Sequence, residues 1–218
     1  MSEPQTGPDP APRRTRMTAA ARREQLVDVG RRVFAAKGVD GTSVEDLAAT
    51  AGVSKPVVYE HFGGKEGLYA VVVDRELRAL TDAVTASLTA GGSDRETIER
   101  AALALLDYIE DSPDGFRILV RDVSGSAPTG TYASLLSDVA AEVAHLLSDA
   151  FEQRELESRY APMYAQMLVG LVSLTGQWWL ETRTPPKDVV AAHMVNLAWH
   201  GLSGLSAHLE PPAKLARP

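Results

Sequence analysis

The sequence predicts an all-α protein of about nine helices: an N-terminal helix-turn-helix unit followed by a larger helical body. Three observations point there. Ala and Leu dominate a composition that is 44% hydrophobic but only 6% aromatic, a balance that suits helix better than sheet. β-Branched residues are scattered rather than gathered into short alternating runs. Apolar positions recur instead at helical spacing, as in Ile98, Ala102, Leu105 and Ile109.

Residues 1–17 hold Pro4, Pro8, Pro10 and Pro12 with almost no apolar side chain. They read as a disordered arm, closed by Arg13, Arg14 and Arg16. The helix-turn-helix unit is expected over 18–64. Its first helix starts after Thr18 as N-cap, carries Leu26, Val29, Val33 and Phe34 on one face, and stops at Gly38 in an αL cap. Ser43 opens a second helix, Val44 to Ala51, with Asp46 three residues on as an approximate capping box. After Gly52-Val53-Ser54, in which Ser54 is expected to cap, a third helix runs from Lys55 to Phe62 with Pro56 in its first turn.

Gly63-Gly64 breaks the chain, and 65–209 reads as a body for ligand binding and dimerisation. A long helix is predicted from Lys65 to Ala90, then helices over Arg95–Glu110 and Pro113–Asp122. A Gly/Ser/Pro loop from Ser124 to Gly130 follows. Three longer helices over Thr131–Arg154, Glu157–Thr182 and Pro186–His208 finish the body, and 210–218 is a flexible tail.

Composition excludes several functions. Cysteine is absent, which removes disulfides, thiolate metal sites and Cys nucleophiles together. The apolar runs Ala70 to Val73 and Met167 to Leu174 fall far short of the ~20 residues of a membrane span. The Pro-rich N-terminus is no secretory signal, so a cytoplasmic protein is expected. Gly201-Leu202-Ser203-Gly204-Leu205 lacks the second glycine of a nucleophile elbow. His193, His200 and His208 are spaced seven and eight apart, whereas zinc ligands on one helix prefer three or four. Neither catalysis, metal nor cofactor is expected.

Charge is unevenly placed. The chain carries −7 overall, yet residues 13–65 hold ten Lys/Arg against six Asp/Glu, and residues 66–218 hold twelve against twenty-one. A basic front of +4 on a body of −9 confines polyanion binding to the front.

Two short helices joined by Ala51-Gly52-Val53-Ser54 have the geometry of a helix-turn-helix, whose second helix lies in the major groove. The runs Thr42-Ser43-Val44-Glu45-Asp46-Leu47-Ala48, Ala51-Gly52-Val53-Ser54-Lys55, Val58-Tyr59-Glu60-His61-Phe62 and Lys65-Glu66-Gly67-Leu68 resemble the DNA-binding domain of TetR-family regulators. Phe34 to Gly38 is similar too. The resemblance implies DNA contacts from Ser43, Val44, Glu45, Lys55, Pro56, Val57, Tyr59, His61 and Lys65. Lys55 donates to guanine and Val57 packs on a thymine methyl. Tyr59, His61, Ser43 and Lys65 reach phosphates. Tyr59 and His61 read alternatively as a partly buried structural pair. Glu60 would repel phosphate but accept from cytosine N4. Arg13, Arg14, Arg16, Arg22 and Arg23 either reach the adjacent minor groove or form a solvated charge run. Phe34, Leu47, Val53, Val58, Phe62 and Leu68 are assigned to the small core.

The same resemblance implies a homodimer on a palindromic operator, released by a small ligand, with activation as an alternative outcome. Val169, Val172, Gly176 and Trp179 of the penultimate helix, with Ala198, Gly201, Leu202 and Leu205 of the last, are expected at the subunit interface. Tyr108, Phe116, Tyr132, Met163, Tyr164, Met167, Leu171 and Trp178 are the expected cavity lining, although aromatic and Met positions at this spacing also suit plain core. Leu106-Asp107-Tyr108-Ile109-Glu110 and Phe116-Arg117-Ile118-Leu119 are loosely similar to regulators of lipid metabolism, which makes an acyl thioester the first expectation and an aromatic compound the second. Arg117, Arg121 and Asp122 read first as a solvated face, otherwise as a relay from cavity to long helix. The competing class is a helix-turn-helix protein answering to a protein partner, with no small-molecule cavity.

Overall fold

The computed structural model describes residues 17–122 and 130–205. Arg13, Arg14 and Arg16, the Ser124–Gly130 loop except Gly130, the predicted helix end at His208 and the 210–218 tail lie outside the described residues. Within them the fold is built from nine α-helices and one 3-10 turn.

α1 (Ala19–Lys37) begins where the Ala21 N–H donates to the Thr18 hydroxyl. Gly38 closes it at φ 72° and ψ 170°, outside the expected αL well. Its buried residues divide between two faces. Leu26 and Val29 pack with Ala48 and Ala51 of α2 (Val44–Ala51) and Val58 of α3 (Lys55–Phe62) in a small core. Val27, Phe34 and Ala35 join the main core instead, with Leu68 and Val72 of α4 (Lys65–Thr89). Phe34, Leu47 and Leu68 therefore leave the small core they were expected in. Phe34 stands two turns beyond Val27, on that side of α1 and not on the Leu26 side.

α4 is about 37 Å long at 1.5 Å per residue, so it belongs to both halves. α5 (Asp94–Asp111) returns along it, and α6 (Pro113–Arg121) crosses back over α1 and α4. α7 (Tyr132–Gln153) and α8 (Ala161–Thr182) form an antiparallel hairpin. α8 starts later than predicted: Ser158–Tyr160 is a 3-10 turn, and Pro162 occupies the first α-helical turn, where its missing N–H costs nothing. α9 (Lys187–Ser203) lies against α5, anchored where Lys187 meets Asp107 at 2.7 Å and also Glu110.

The two halves are joined through Glu76, only 5% exposed. Its Oε2 accepts from the Tyr108 hydroxyl and the Ser112 hydroxyl, both at 2.8 Å, and its Oε1 lies 3.4 Å from Arg31 of α1. Gly115 makes room for it, since a Cβ there would lie 1.9 Å from Oε2. Arg121 donates to the Ala35 carbonyl at 3.1 Å, and Tyr69 donates to the buried Asp122 at 3.3 Å. The solvated face expected of Arg121 and Asp122 is not what the fold makes of them. They tie α6 to α1 and α4. Arg117 pairs with Asp114 and Glu181, each at 3.3 Å.

α3 and α4 meet at Gly67, where a Cβ would lie 1.9 Å from the Phe62 carbonyl oxygen. Backbone cannot swing aside as a side chain can. Gly67→Ala is expected to lower stability by about 1–3 kcal/mol, as overpacking does, measured by urea unfolding. A neutral result would mean that the α3–α4 junction shifts freely.

Candidate functional site

α2 is fixed by its own first turn. The Ser43 hydroxyl accepts from the Asp46 N–H at 3.1 Å and donates to Asp46 Oδ2 at 2.8 Å, while the Ser43 N–H donates to the same oxygen at 3.0 Å. Lys37 reaches Asp46 Oδ1 at 2.8 Å. That hydrogen bond, with those from Ser43, holds the Asp46 carboxyl well below its usual range. The Ser43 hydroxyl, expected to meet phosphate, is thus engaged inside the capping box. Gly52 then takes the αL conformation, φ 65° and ψ 38°, that a β-carbon disfavours. The Val53 N–H donates to the Ala48 carbonyl at 2.9 Å, which closes the turn.

Ser54 occupies the N-cap of α3 but makes no side-chain cap bond. Lys55, Pro56 and Tyr59 point outward, and Tyr59 is 54% exposed. Val44 and Val57 are half-buried against the small core, and His61 is half-buried beside Phe62. Glu45 and Lys55 form an ion pair across the two helices, and this hydrogen bond lowers the Glu45 carboxyl. Lys65, expected at a phosphate, is the first residue of α4. Its ammonium donates to the carbonyls of Val39 and Thr42 at 3.1 and 3.0 Å, so it pins the loop before α2. Arg23 stacks over Phe62 at 4.9 Å, and Arg22 reaches Gln25, whose amide donates to the Ala51 carbonyl.

The body holds a cavity of about 390 Å³ between α4, α5, α7, α8 and α9, within the ordinary range for ligand pockets. Leu80, Leu105, Leu135 and Val172 belong to its apolar lining, and Gly92, Asp94, Gln153, Arg154 and Ser203 are exposed members of the lining.

Of the eight predicted lining residues, Tyr132 and Leu171 line this cavity. Tyr108 and Phe116 are buried beside α4 and α6, edge to face at 6.3 Å. Tyr164 packs on Phe151 at 5.4 Å. Met163, Met167 and Trp178 are 47%, 57% and 51% exposed, on an outer stripe with Leu174. The residues expected at the subunit interface fall in several places. Val169, Val172, Ala198 and Leu202 line the cavity. Gly176 lets α8 approach α5, because a Cβ would meet Leu105 and Ile109 at 2.9 Å. Trp179 is buried, and its indole donates to the Pro185 carbonyl at 2.8 Å. Gly201 is exposed and Leu205 half-buried. Periodicity does not separate the two sets, because α8 is apolar on nearly every side and its faces cannot be ranked from spacing.

Among the described residues no group of three or more His, Asp or Glu side chains is placed to hold a metal ion, and no helix is long and apolar enough to cross a membrane.

Residues 26–72 match the family of bacterial regulatory proteins described as the tetR family, and residues 83–213 match the tetracyclin repressor-like C-terminal domain. The chain is 30% identical over 194 residues to the HTH-type transcriptional activator FasR of Mycolicibacterium smegmatis, covering 88% of this chain and 87% of that protein. A TetR-like transcriptional regulator from Rhodococcus sp. RHA1 superposes with a TM-score of 0.74 at 26% identity, over 87% of this chain and 100% of its own. The fatty acid degradation regulator FadR of Bacillus halodurans shares the fold, with a TM-score of 0.65 at 16% identity over 83% of this chain and 96% of its own.

The Asp46 carboxyl titrates lower in the folded chain than its ordinary 3.8. Its stabilisation is therefore present above that value and fades as pH falls toward the lowered one. Asp46→Asn is expected to melt below the parent at pH 7, with the gap closing as pH drops below about 4. A gap that stays constant through that range would remove the carboxylate's charge as the cause.

Proposed function

The chain belongs to the TetR family of bacterial regulatory proteins and is a DNA-binding transcription regulator, and from that premise we propose that it acts as a homodimer on a palindromic operator and is released by a small, mostly hydrophobic ligand of fatty-acyl type. One observation carries this reading: a helix-turn-helix with Lys55, Pro56 and Tyr59 facing outward is joined through α4 to an apolar cavity.

At the DNA, Lys55 stands at the amino end of α3, where an ammonium donates to guanine O6 or N7, and Val57 meets a thymine methyl. Tyr59 and His61 take the flanking phosphates. Lys65 acts by holding the loop that orients α2. Lys55 must exchange its exposed partner Glu45 for a base edge, a small cost for a solvated ion pair. Pairing of two subunits is supported by the outer stripe of α8, Met163, Met167, Leu174 and Trp178, together with Leu197 of α9, which is 63% exposed. An apolar stripe this long on a lone chain asks for a cover. A second copy meeting it through α8 and α9 would set the two recognition helices one turn of DNA apart, about 34–36 Å.

The apolar inner wall supports an acyl chain as the ligand's body, and the fold is shared with a fatty acid degradation regulator. The ligand acts only to the extent that it prefers one conformer over the other. The FasR likeness favours a second reading, in which the same parts activate transcription. The operator's position relative to the promoter separates the two.

The test is selection of an operator from random duplexes, followed by anisotropy titrations at several salt concentrations. Lys55→Ala is expected to weaken selected-site binding about tenfold or more and to relax preference at one base pair. Glu45→Gln is expected to tighten binding to duplexes of every sequence, because it frees the Lys55 charge. Native mass spectrometry is expected to show a dimer that Leu174→Glu with Trp178→Glu converts to monomer. A monomeric parent chain would defeat the paired half-site.

A further inference from the structure

The cavity's lining changes character along the body. Lys187 opens α9 against Asp107 and Glu110 at the end of α5, so α9 runs back toward the start of α5. α7 begins against Phe116 of α6 and closes at Arg154, whose guanidinium donates to the Leu202 carbonyl in the last turn of α9 at 3.4 Å. The end of α4, the start of α5 and the ends of α7 and α9 therefore meet at the end of the body away from α6. The lining residues contributed there include Gly92, Asp94, Asp149, Gln153, Arg154 and Ser203, all exposed. Those from the middles of the helices, Leu80, Ala102, Leu105, Val169 and Met194, are apolar and buried. An amphipathic ligand is thereby oriented. Its chain is sheltered among the buried side chains, and its head stays at the exposed end, where a charge keeps part of its hydration.

The charge of that head follows from what surrounds it. Among the described lining residues the charged ones are Asp94, Asp149 and Arg154. Neither carboxylate pairs with Arg154, whose guanidinium reaches the Leu202 carbonyl alone. A guanidinium is a planar fork of donors that matches a carboxylate, and one carbonyl occupies only part of it. An uncharged head would leave the rest to water. One carboxylate gains charge-assisted hydrogen bonds there. A head of several phosphates would instead bring many negative charges against a lining in which two carboxylates outnumber one cation, a net repulsion.

We propose that Arg154 holds the head of the effector, a single carboxylate on an apolar chain that runs inward, so that the free acid is preferred both to its uncharged ester and to its thioester with a polyphosphate carrier. This rests on the reading of the cavity as the effector site and deepens it. Arg154 then joins the ligand's head to the ends of α7 and α9 at once, because its own bond to Leu202 bridges those two helices.

The experiment is calorimetric titration of the full chain, of Arg154→Gln and of Asp149→Asn with decanoic, dodecanoic and tetradecanoic acids, their methyl esters and their coenzyme A thioesters. At the chain length that binds best, the acid is expected to bind the parent protein about fivefold more tightly than the ester, and the thioester more weakly than the acid. Arg154→Gln is expected to erase the acid's advantage and leave ester affinity unchanged, since the amide still donates to the Leu202 carbonyl. An Arg154 that only ties α7 to α9 would move acid and ester alike. Asp149→Asn is expected to tighten the acid and not the ester. Equal binding of acid and ester to the parent protein, an advantage that survives in Arg154→Gln, or a thioester bound more tightly than the acid overturns the proposal while leaving the cavity an acyl site. If none of the three series binds, the reading of the cavity as an acyl site falls, and this proposal falls with it.

Discussion

A carboxylate taken out of water has to be met by donors, and the position of Glu76 makes that requirement the hinge of the whole chain. Tyr108 and Ser112 satisfy one oxygen and Arg31 approaches the other. The amino end of α6 also lies against it, where the helix dipole favours negative charge. These partners come from α1, α5 and the start of α6. One buried charge on α4 therefore fixes the helix-turn-helix unit against the body and fixes α6 beneath both. Removing Arg31 alone would leave the charge under-compensated, which is why broken buried pairs cost more than intact ones contribute. The arrangement constrains motion as well. α6 cannot slide on α4 without lifting Gly115 from the carboxylate, and it cannot leave α1 without breaking the Arg121–Ala35 bond.

What could be read from the sequence was what depends on near neighbours. The Ser43–Asp46 box, Gly52 in its left-handed turn and Pro56 in the first turn of α3 are signals within four residues of the structure they specify, and α2 and α3 stand between the predicted limits. What is not legible there concerns partners far along the chain. Lys65 looks like a free cation until Val39 and Thr42 are folded against it, 26 and 23 residues away. Arg121 finds Ala35 across 86 residues. Glu76 carries no local mark of burial, since a single Glu in a helix that also holds Asp74, Arg75 and Arg78 looks like part of a solvated face. A possible signal was Gly115, a glycine in the first turns of a helix where only close approach justifies its low propensity.

α8 carries a further consequence of that geometry. Its inner side supplies Val169 and Val172 to the cavity wall, and its outer side presents Met163, Met167, Leu174 and Trp178. These two surfaces are separated only by the thickness of one helix. A helix packed on one side alone can shift toward a poorly filled cavity, whereas one clamped on its outer side by a second subunit cannot. Filling the cavity then has to be accommodated elsewhere. The walls left to yield are α4, α5, α7 and α9, and of these α7 begins at Tyr132, against Phe116 of α6. Were the outer stripe of α8 covered in the proposed dimer, the effect of a ligand would be directed toward α6 and Glu76.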